Sequence, residues 1–153
     1  MKYYKLFRFI LFFLSLLSGY GCSSSSPGRQ VLDMNTGWAF YRGDVEEGHK
    51  ADLDDSGWMP AVIPHIMQLE TKHCGGNSIY DGIGWYRRYF KLPGEYKGKR
   101  ITVSFEGVMT NCDVYLNGEK ITTHHGGYMG FVADLTDRID WDGNNVLAVR
   151  VSV

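Results

Sequence analysis

The side chains able to do chemistry are few and scattered: His65, Asp81, Glu106, Asp113, the pair Arg87-Arg88, the neighbouring His124-His125, and the aromatic Trp85-Tyr86. Asp81 stands just before the aromatic run, and a carboxylate can accept from two hydroxyls at once; the plainer reading is a turn residue. His65 follows Pro64 and can hydrogen-bond a ligand hydroxyl or make a structural contact to backbone. Trp85 and Tyr86 can stack on a ring-shaped ligand, or fill a core or a seam. Arg87 and Arg88 can grip a carboxylate through two N–H groups, or pair with local acids. Glu106 and Asp113 have no sequence partner that suggests acid–base work, so solvation or pairing to arginine is the better reading. On a strand, His124 and His125 point to opposite faces and cannot share a metal. The residues therefore predict no catalytic group, no metal site and no cofactor.

What positions them is a set of short strands. Gly84-Trp85-Tyr86-Arg87-Arg88-Tyr89-Phe90-Lys91-Leu92-Pro93 is aromatic, doubly basic and ended by proline, and Trp85 to Leu92 reads as one strand. In it Trp85, Arg87 and Tyr89 share one face, and Tyr86, Arg88 and Phe90 the other. Gly37 to Tyr41 is a short aromatic strand, and Trp58 to Ile63 another, stopped by Pro64. Arg42 to Gly57 is polar and acidic, with Asp52 to Ser56 as a loop or a single helical turn. No clear periodicity runs from His65 to Gly84, which reads as a long irregular loop of the kind that often binds. Ile101, Val103 and Phe105 alternate with polar residues, as do Cys112, Val114 and Leu116, the mark of half-buried strands. Asn117-Gly118 is a strong hairpin signal, because both turn positions tolerate positive φ. Glu119 to Thr123 returns, Tyr128 to Ala133 is a further strand with Tyr128 and Phe131 in the core or against a neighbouring domain, and Asp134 can cap the turn that follows. Leu147, Val149, Val151 and Val153 alternate in a last strand. Close-spaced strands without a long amphipathic helix predict an all-β, antiparallel sandwich or barrel. The pattern stops within a strand, so the expectation is a domain incomplete at its C-terminus.

The 153 residues amount to about one domain. The first 22 read as an export leader: Lys2, Lys5 and Arg8, an apolar stretch from Phe9 to Leu17, then the small residues up to Cys22. The apolar stretch is too short for a stable span. Without those three cations the 16 basic side chains fall to 13, against 17 acidic. That balance offers nothing to nucleic acid. Cys22, preceded by Gly21 and followed by four serines, resembles the acylated cysteine of a bacterial lipoprotein, although Gly19 and Tyr20 depart from the usual pattern. The alternative is plain secretion. Residues 23–36 are then a Ser-rich tether and lead-in. Export permits disulfides, but Cys112 sits on the apolar face of its strand and reads as a buried thiol, so a bridge to Cys74 is not expected.

A series of segments in one order carries a family resemblance: Ile63-Pro64-His65, Gly84-Trp85-Tyr86-Arg87-Arg88 with Phe90, Phe105-Glu106-Gly107-Val108, Val114-Tyr115-Leu116-Asn117-Gly118, His125-Gly126-Gly127-Tyr128 with Phe131, Asp134-Leu135-Thr136, and Asn145 to Val151. From residue 37 to 153 the chain resembles the N-terminal, sugar-binding jelly-roll domain of glycoside hydrolase family 2, which includes β-galactosidases, β-glucuronidases and β-mannosidases. The resemblance implies a galactose-binding-domain-like β-sandwich that packs beside an immunoglobulin-like domain and a catalytic (β/α)8 barrel. It implies a retaining β-galactosidase-like hydrolase whose two glutamates lie on that barrel, roughly 5–5.5 Å apart, and no Asn-Glu dipeptide stands in these residues.

For this portion the resemblance implies a support role, shaping the sugar entrance with Asp81 and His65. The partners implied are a β-galactoside-like carbohydrate, the two further domains, and a membrane through the Cys22 lipid in the periplasm or outer membrane. A different class stays open: a lipid-tethered carbohydrate-binding module without catalysis.

Overall fold

The computed structural model describes residues 28–67, 69–72 and 76–153. The leader with Cys22, the first part of the tether, and Cys74 lie outside the described residues. Contacts divide the chain into Met1–Leu32 and Asp33–Val153. In the first unit the described residues 28–32 form no helix or strand, and Val31 and Leu32 are exposed.

The described residues of the second unit form ten strands: β1 (Trp38–Arg42), β2 (Met59–Ala61), β3 (Leu69–Lys72), β4 (Gly76–Ile79), β5 (Ile83–Phe90), β6 (Thr102–Phe105), β7 (Asn111–Leu116), β8 (Glu119–His125), β9 (Phe131–Asp134) and β10 (Asn145–Ser152). Six of them make one sheet in the order β2-β1-β5-β10-β7-β8, antiparallel throughout. β6 and β9 pair separately, as do β3 and β4. The inner face of the large sheet carries Trp38, Phe40, Tyr86, Cys112, Val114, Leu116, Leu147, Val149 and Val151. Val103 of β6 and Ala133 of β9 join the same core, with Leu135 and Ile139 from the turn after β9. This is the antiparallel sandwich that the alternating strands predict. Each Leu or Val buried this way contributes about 1.5–3 kcal/mol, so the inner face is what holds β5 and β10 at the centre.

The Asn117-Gly118 hairpin forms as its residues dictate. Both take positive φ, 53° and 89°, the pair of angles a two-residue turn needs to match strand twist. Asp134 Oδ1 accepts from Thr136 N at 3.0 Å just ahead of the short 3-10 turn Thr136–Arg138, but the N-cap position itself is Leu135, which makes no side-chain cap bond. Cys112 is free and buried, and burial pushes its thiol up to about 11.

Two segments have other secondary structure than the sequence predicts. The stretch from His65 to Gly84 is not one irregular loop, since β3 and β4 pair within it, Leu69 opposite Ile79. Four residues a side are too few to show a period. The strand expected over Tyr128 to Ala133 begins only at Phe131, and Tyr128 is 91% exposed, which removes it from the core and leaves the other expectation, a face toward a neighbouring domain.

Candidate functional site

β5 is the axis of the candidate site, and its two faces do different work. On the inner face Tyr86 is buried and its phenol is pushed up to about 12 by that burial. Its Oη lies 2.9 Å from His65 Nδ1. The imidazole rests on the Phe40 ring, centroids 4.7 Å apart. The side of the ring against Phe40 is desolvated, which lowers the His65 pKa, while the rest of the ring is exposed. A neutral ring that accepts from Tyr86 at Nδ1 carries its proton on Nε2, where it is a donor. The structural contact expected of His65 is thus to a side chain, and not to backbone.

Asp81 lies just before β5 and is exposed. The backbone around it is pinned: Val153 N donates to Gly82 O at 3.1 Å, Gly43 N to Ile83 O at 2.7 Å, and Tyr80 Oη to Ile83 O at 3.1 Å. Among the described residues the Asp81 carboxylate has no hydrogen-bond or ion-pair partner, so both of its oxygens are available to a ligand. The structure makes no hydrogen bond between Asp81 and His65; each is attached separately to β5.

The outer face of β5 is covered by the acidic segment 43–58, whose sequence gives no sign that it packs on a strand. Arg87 is fully buried there. Its Nε donates to Asp55 Oδ2 and its Nη1 to the carbonyls of Gly48 and Lys50, each at 2.8 Å. Trp85 stacks on Tyr115, centroids 5.9 Å apart, and His49 stacks on Tyr115 in turn, at 5.2 Å. Gly48 passes so close that a Cβ would sit 2.7 Å from the Trp85 ring. Trp85 and Tyr86 are therefore packed in, 3% and 7% exposed, and neither offers a face to a ring-shaped ligand. Arg88, on the inner side, has its pKa lowered by burial, with Asp33 acting the other way.

Asp44 closes this cover. Its Oδ1 accepts from Trp85 Nε1 and Arg150 Nε, both at 3.0 Å, and its Oδ2 from Arg150 Nη2 at 2.7 Å. The hydrogen bonds from Arg150, then from Trp85, bring its pKa down to about 2. A carboxyl depressed on folding contributes stability above its unfolded pKa and loses it as pH falls through the folded value. Half of this side chain is exposed, 52%, so the contribution is no more than about 1 kcal/mol. The parent chain is expected to be more stable than Asp44→Asn to urea above pH 4, with the difference closing as pH falls from about 4 to about 2. A difference that persisted unchanged below pH 2 would contradict this.

Below the cover the outer face of the sheet is open and polar. Asn111, Asp113, Thr123, His125, Arg150 and Ser152 line a hollow of about 260 Å³. Asp113 pairs with Lys120 at 2.7 Å, a lysine and not the arginine expected. His124 turns to the inner side, stacked on Phe131 at 4.2 Å, while His125 Nδ1 meets Asn111 Oδ1 at 2.8 Å on the outer one. Glu106 is exposed.

Known proteins share this architecture. Residues 79–153 match the family described as glycosyl hydrolase 2 galactose-binding domain-like. The β-galactosidase of Thermoanaerobacter pseudethanolicus is 38% identical over 126 residues, 81% of this chain and 17% of that protein. A solved glycosyl hydrolase family 2 member from Bacteroides cellulosilyticus superposes with a TM-score of 0.70 at 39% identity, over 77% of this chain and 17% of the other. A Bacteroides uniformis β-glucuronidase superposes with a TM-score of 0.73 at 29% identity, over 82% and 15%. The chain thus spans about a sixth of the length of these relatives. Fold, motif order and matched segment agree: the chain belongs to glycoside hydrolase family 2, as its galactose-binding-like N-terminal domain.

Proposed function

We propose that these residues are the N-terminal part of an exported, lipid-anchored, retaining β-glycosidase that cleaves terminal β-galactosides. The observation that carries the reading is the 38% identity to a β-galactosidase across 81% of the chain. The carboxylates of this domain support a division of labour. Asp44, Asp55, Asp113 and Asp134 are each bound to an arginine or lysine. A general acid must hold its proton near the working pH. Asp44 and Asp134 are held at about 2, the first mainly by Arg150 and the second mainly by Thr136. Such groups cannot protonate a leaving glycoside at neutral pH. The family resemblance puts the acid and the nucleophile of a retaining pair in the rest of the protein. This domain braces that part and shapes the sugar entrance, with Asp81 accepting from sugar hydroxyls and His65 Nε2 donating to one.

Cys22 carries the lipid, and the serines after it are the tether. The whole protein, expressed with its leader, is expected in the membrane fraction and to hydrolyse p-nitrophenyl β-galactoside faster than the β-glucuronide. Cys22→Ser moves the activity to the soluble fraction. Asp81→Ala raises KM for the galactoside about tenfold, the loss of one hydrogen bond to a charged group, and leaves thermal unfolding unchanged. Preference for the glucuronide, or no hydrolysis of either, overturns the assignment of substrate; unchanged fractionation of Cys22→Ser removes the anchor; an unchanged KM removes Asp81.

A further inference from the structure

The polar hollow on the outer sheet face has no part in the role just described. Its side chains come from three adjacent strands in fixed register: Ser152 opposite Asn111 opposite His125, and Arg150 opposite Asp113 opposite Thr123. Strands stand about 4.7–4.9 Å apart and same-face residues about 6.5–7 Å apart along each. The polar atoms are therefore held on a rigid grid and not on loops, which favours a site whose geometry is set before any ligand arrives.

Much of the hydrogen-bonding capacity there is already used, in a way that leaves one side of each group open. Asp113 Oδ1 takes Lys120 Nζ at 2.7 Å and Thr123 Oγ1 at 2.6 Å. Arg150 spends Nε and Nη2 on Asp44. His125 spends Nδ1 on Asn111. Among the described residues this leaves Asp113 Oδ2, Arg150 Nη1, His125 Nε2 and Ser152 Oγ without hydrogen-bond partners, all on residues that line the hollow. With Nδ1 donating to Asn111 Oδ1, His125 Nε2 of the neutral ring is an acceptor; the open set thus holds two acceptors, a donor and one hydroxyl able to act as either, a mixture a vicinal diol can use, since each sugar hydroxyl both gives and accepts.

Charge narrows the ligand further. The carboxylates of Asp44 and Asp113 balance the cations of Arg150 and Lys120. A uronate or a phosphate meets no net positive field and displaces no paired anion without cost, whereas an uncharged polyol meets only dipoles and open hydrogen-bond groups. The volume, about 260 Å³, falls just below the range of roughly 300–1,000 Å³ that encloses drug-sized ligands, and suits a single monosaccharide unit.

We propose that this hollow binds one neutral glycosyl unit, with Asp113 Oδ2 accepting from one hydroxyl, Arg150 Nη1 donating to its neighbour, and Ser152 and His125 closing on the rest. The site rests on these side chains and not on any activity of the whole protein, so it stands or falls apart from the glycosidase reading.

The test is a residue-resolved NMR titration of the full chain with methyl β-galactoside, methyl β-glucuronide and inorganic phosphate. Saturable shifts at the His125 ring, the Asn111 and Ser152 amides and Arg150 Nε are expected with the galactoside, and at least about tenfold weaker binding of the two anions. Asp113→Asn weakens the galactoside about tenfold, as expected for removing a charged acceptor. Ser152→Tyr fills the hollow and abolishes these shifts, while circular dichroism shows both variants folded; should either fail to fold, the exposed His125→Ala takes its place and weakens binding. Absence of saturable shifts at these residues, binding that survives Ser152→Tyr, or anions that bind as well as the galactoside overturns the proposal.

Discussion

Replacing Arg87 by methionine is expected to destabilise the domain by about 3–5 kcal/mol, the range for breaking a buried ion pair from one side. The guanidinium is 0% exposed and makes three hydrogen bonds of 2.8 Å into the segment that covers the sheet. Methionine fills most of the volume but leaves Asp55, itself only 13% exposed, as an uncompensated carboxylate, together with the Gly48 and Lys50 carbonyls. Against a total stability of about 5–15 kcal/mol for a domain, that loss is large. Lysine restores the charge but not the planar fork that reaches Asp55 and two carbonyls at once, so Arg87→Lys recovers only part of it. Adding Asp55→Leu to Arg87→Met should give back some of the loss, because the stranded charge is gone. Urea unfolding of the three variants checks this; a cost under about 1 kcal/mol for Arg87→Met would mean that the cover contributes little.

The second large effect is at Asn145, also 0% exposed. Its Oδ1 accepts from Asp140 N at 2.8 Å and from Asn117 Nδ2 at 2.9 Å, and its Nδ2 donates to Asp140 O at 2.8 Å. Asn117 in turn accepts from Val146 N through Oδ1 at 2.8 Å. One amide thus ties the β7–β8 turn to the start of β10. Asn145→Ala leaves three part-buried polar groups without this partner, and at about 1–3 kcal/mol for each that is fully unsatisfied, less what solvent and Arg138 O still satisfy, a net loss of about 3 kcal/mol follows. Thermal unfolding followed by circular dichroism should show Tm falling by roughly 10–15 °C. Asn117→Gly keeps the positive φ of the turn but loses the same network, so the double variant should cost less than the sum of the two. Additive losses would show that the two asparagines act separately.

Where the fold was legible, local chemistry carried it. Asn117-Gly118 names its own turn, and Cys112, Val114 and Leu116 alternate because one face meets the core. Arg42 to Gly57 was not legible. Its acids look solvated in sequence, yet Asp55 finds Arg87 32 residues away and Asp44 finds Arg150 across 106. No periodicity encodes a contact between a loop and a distant strand. For the same reason Ala148, opposite Arg87 and Tyr115 on β10, is fully buried although it lies outside the inner core. In the candidate site, His65 and Asp81 were visible as polar residues beside the aromatic strand. The Tyr86 contact of His65 was not, since it depends on how the chain turns after Pro64. The hollow on the outer face was missed because its seven lining residues sit on three strands, and nothing in their sequence spacing joins them.

The retaining β-galactosidase activity proposed for the whole protein has one direct test. Proton NMR of the whole protein acting on an aryl β-galactoside tests it most directly, by following the anomeric signal of the first sugar released. The account predicts β-galactose first, turning into the α/β mixture only as mutarotation proceeds. First release of α-galactose, or no galactose at all, would contradict it.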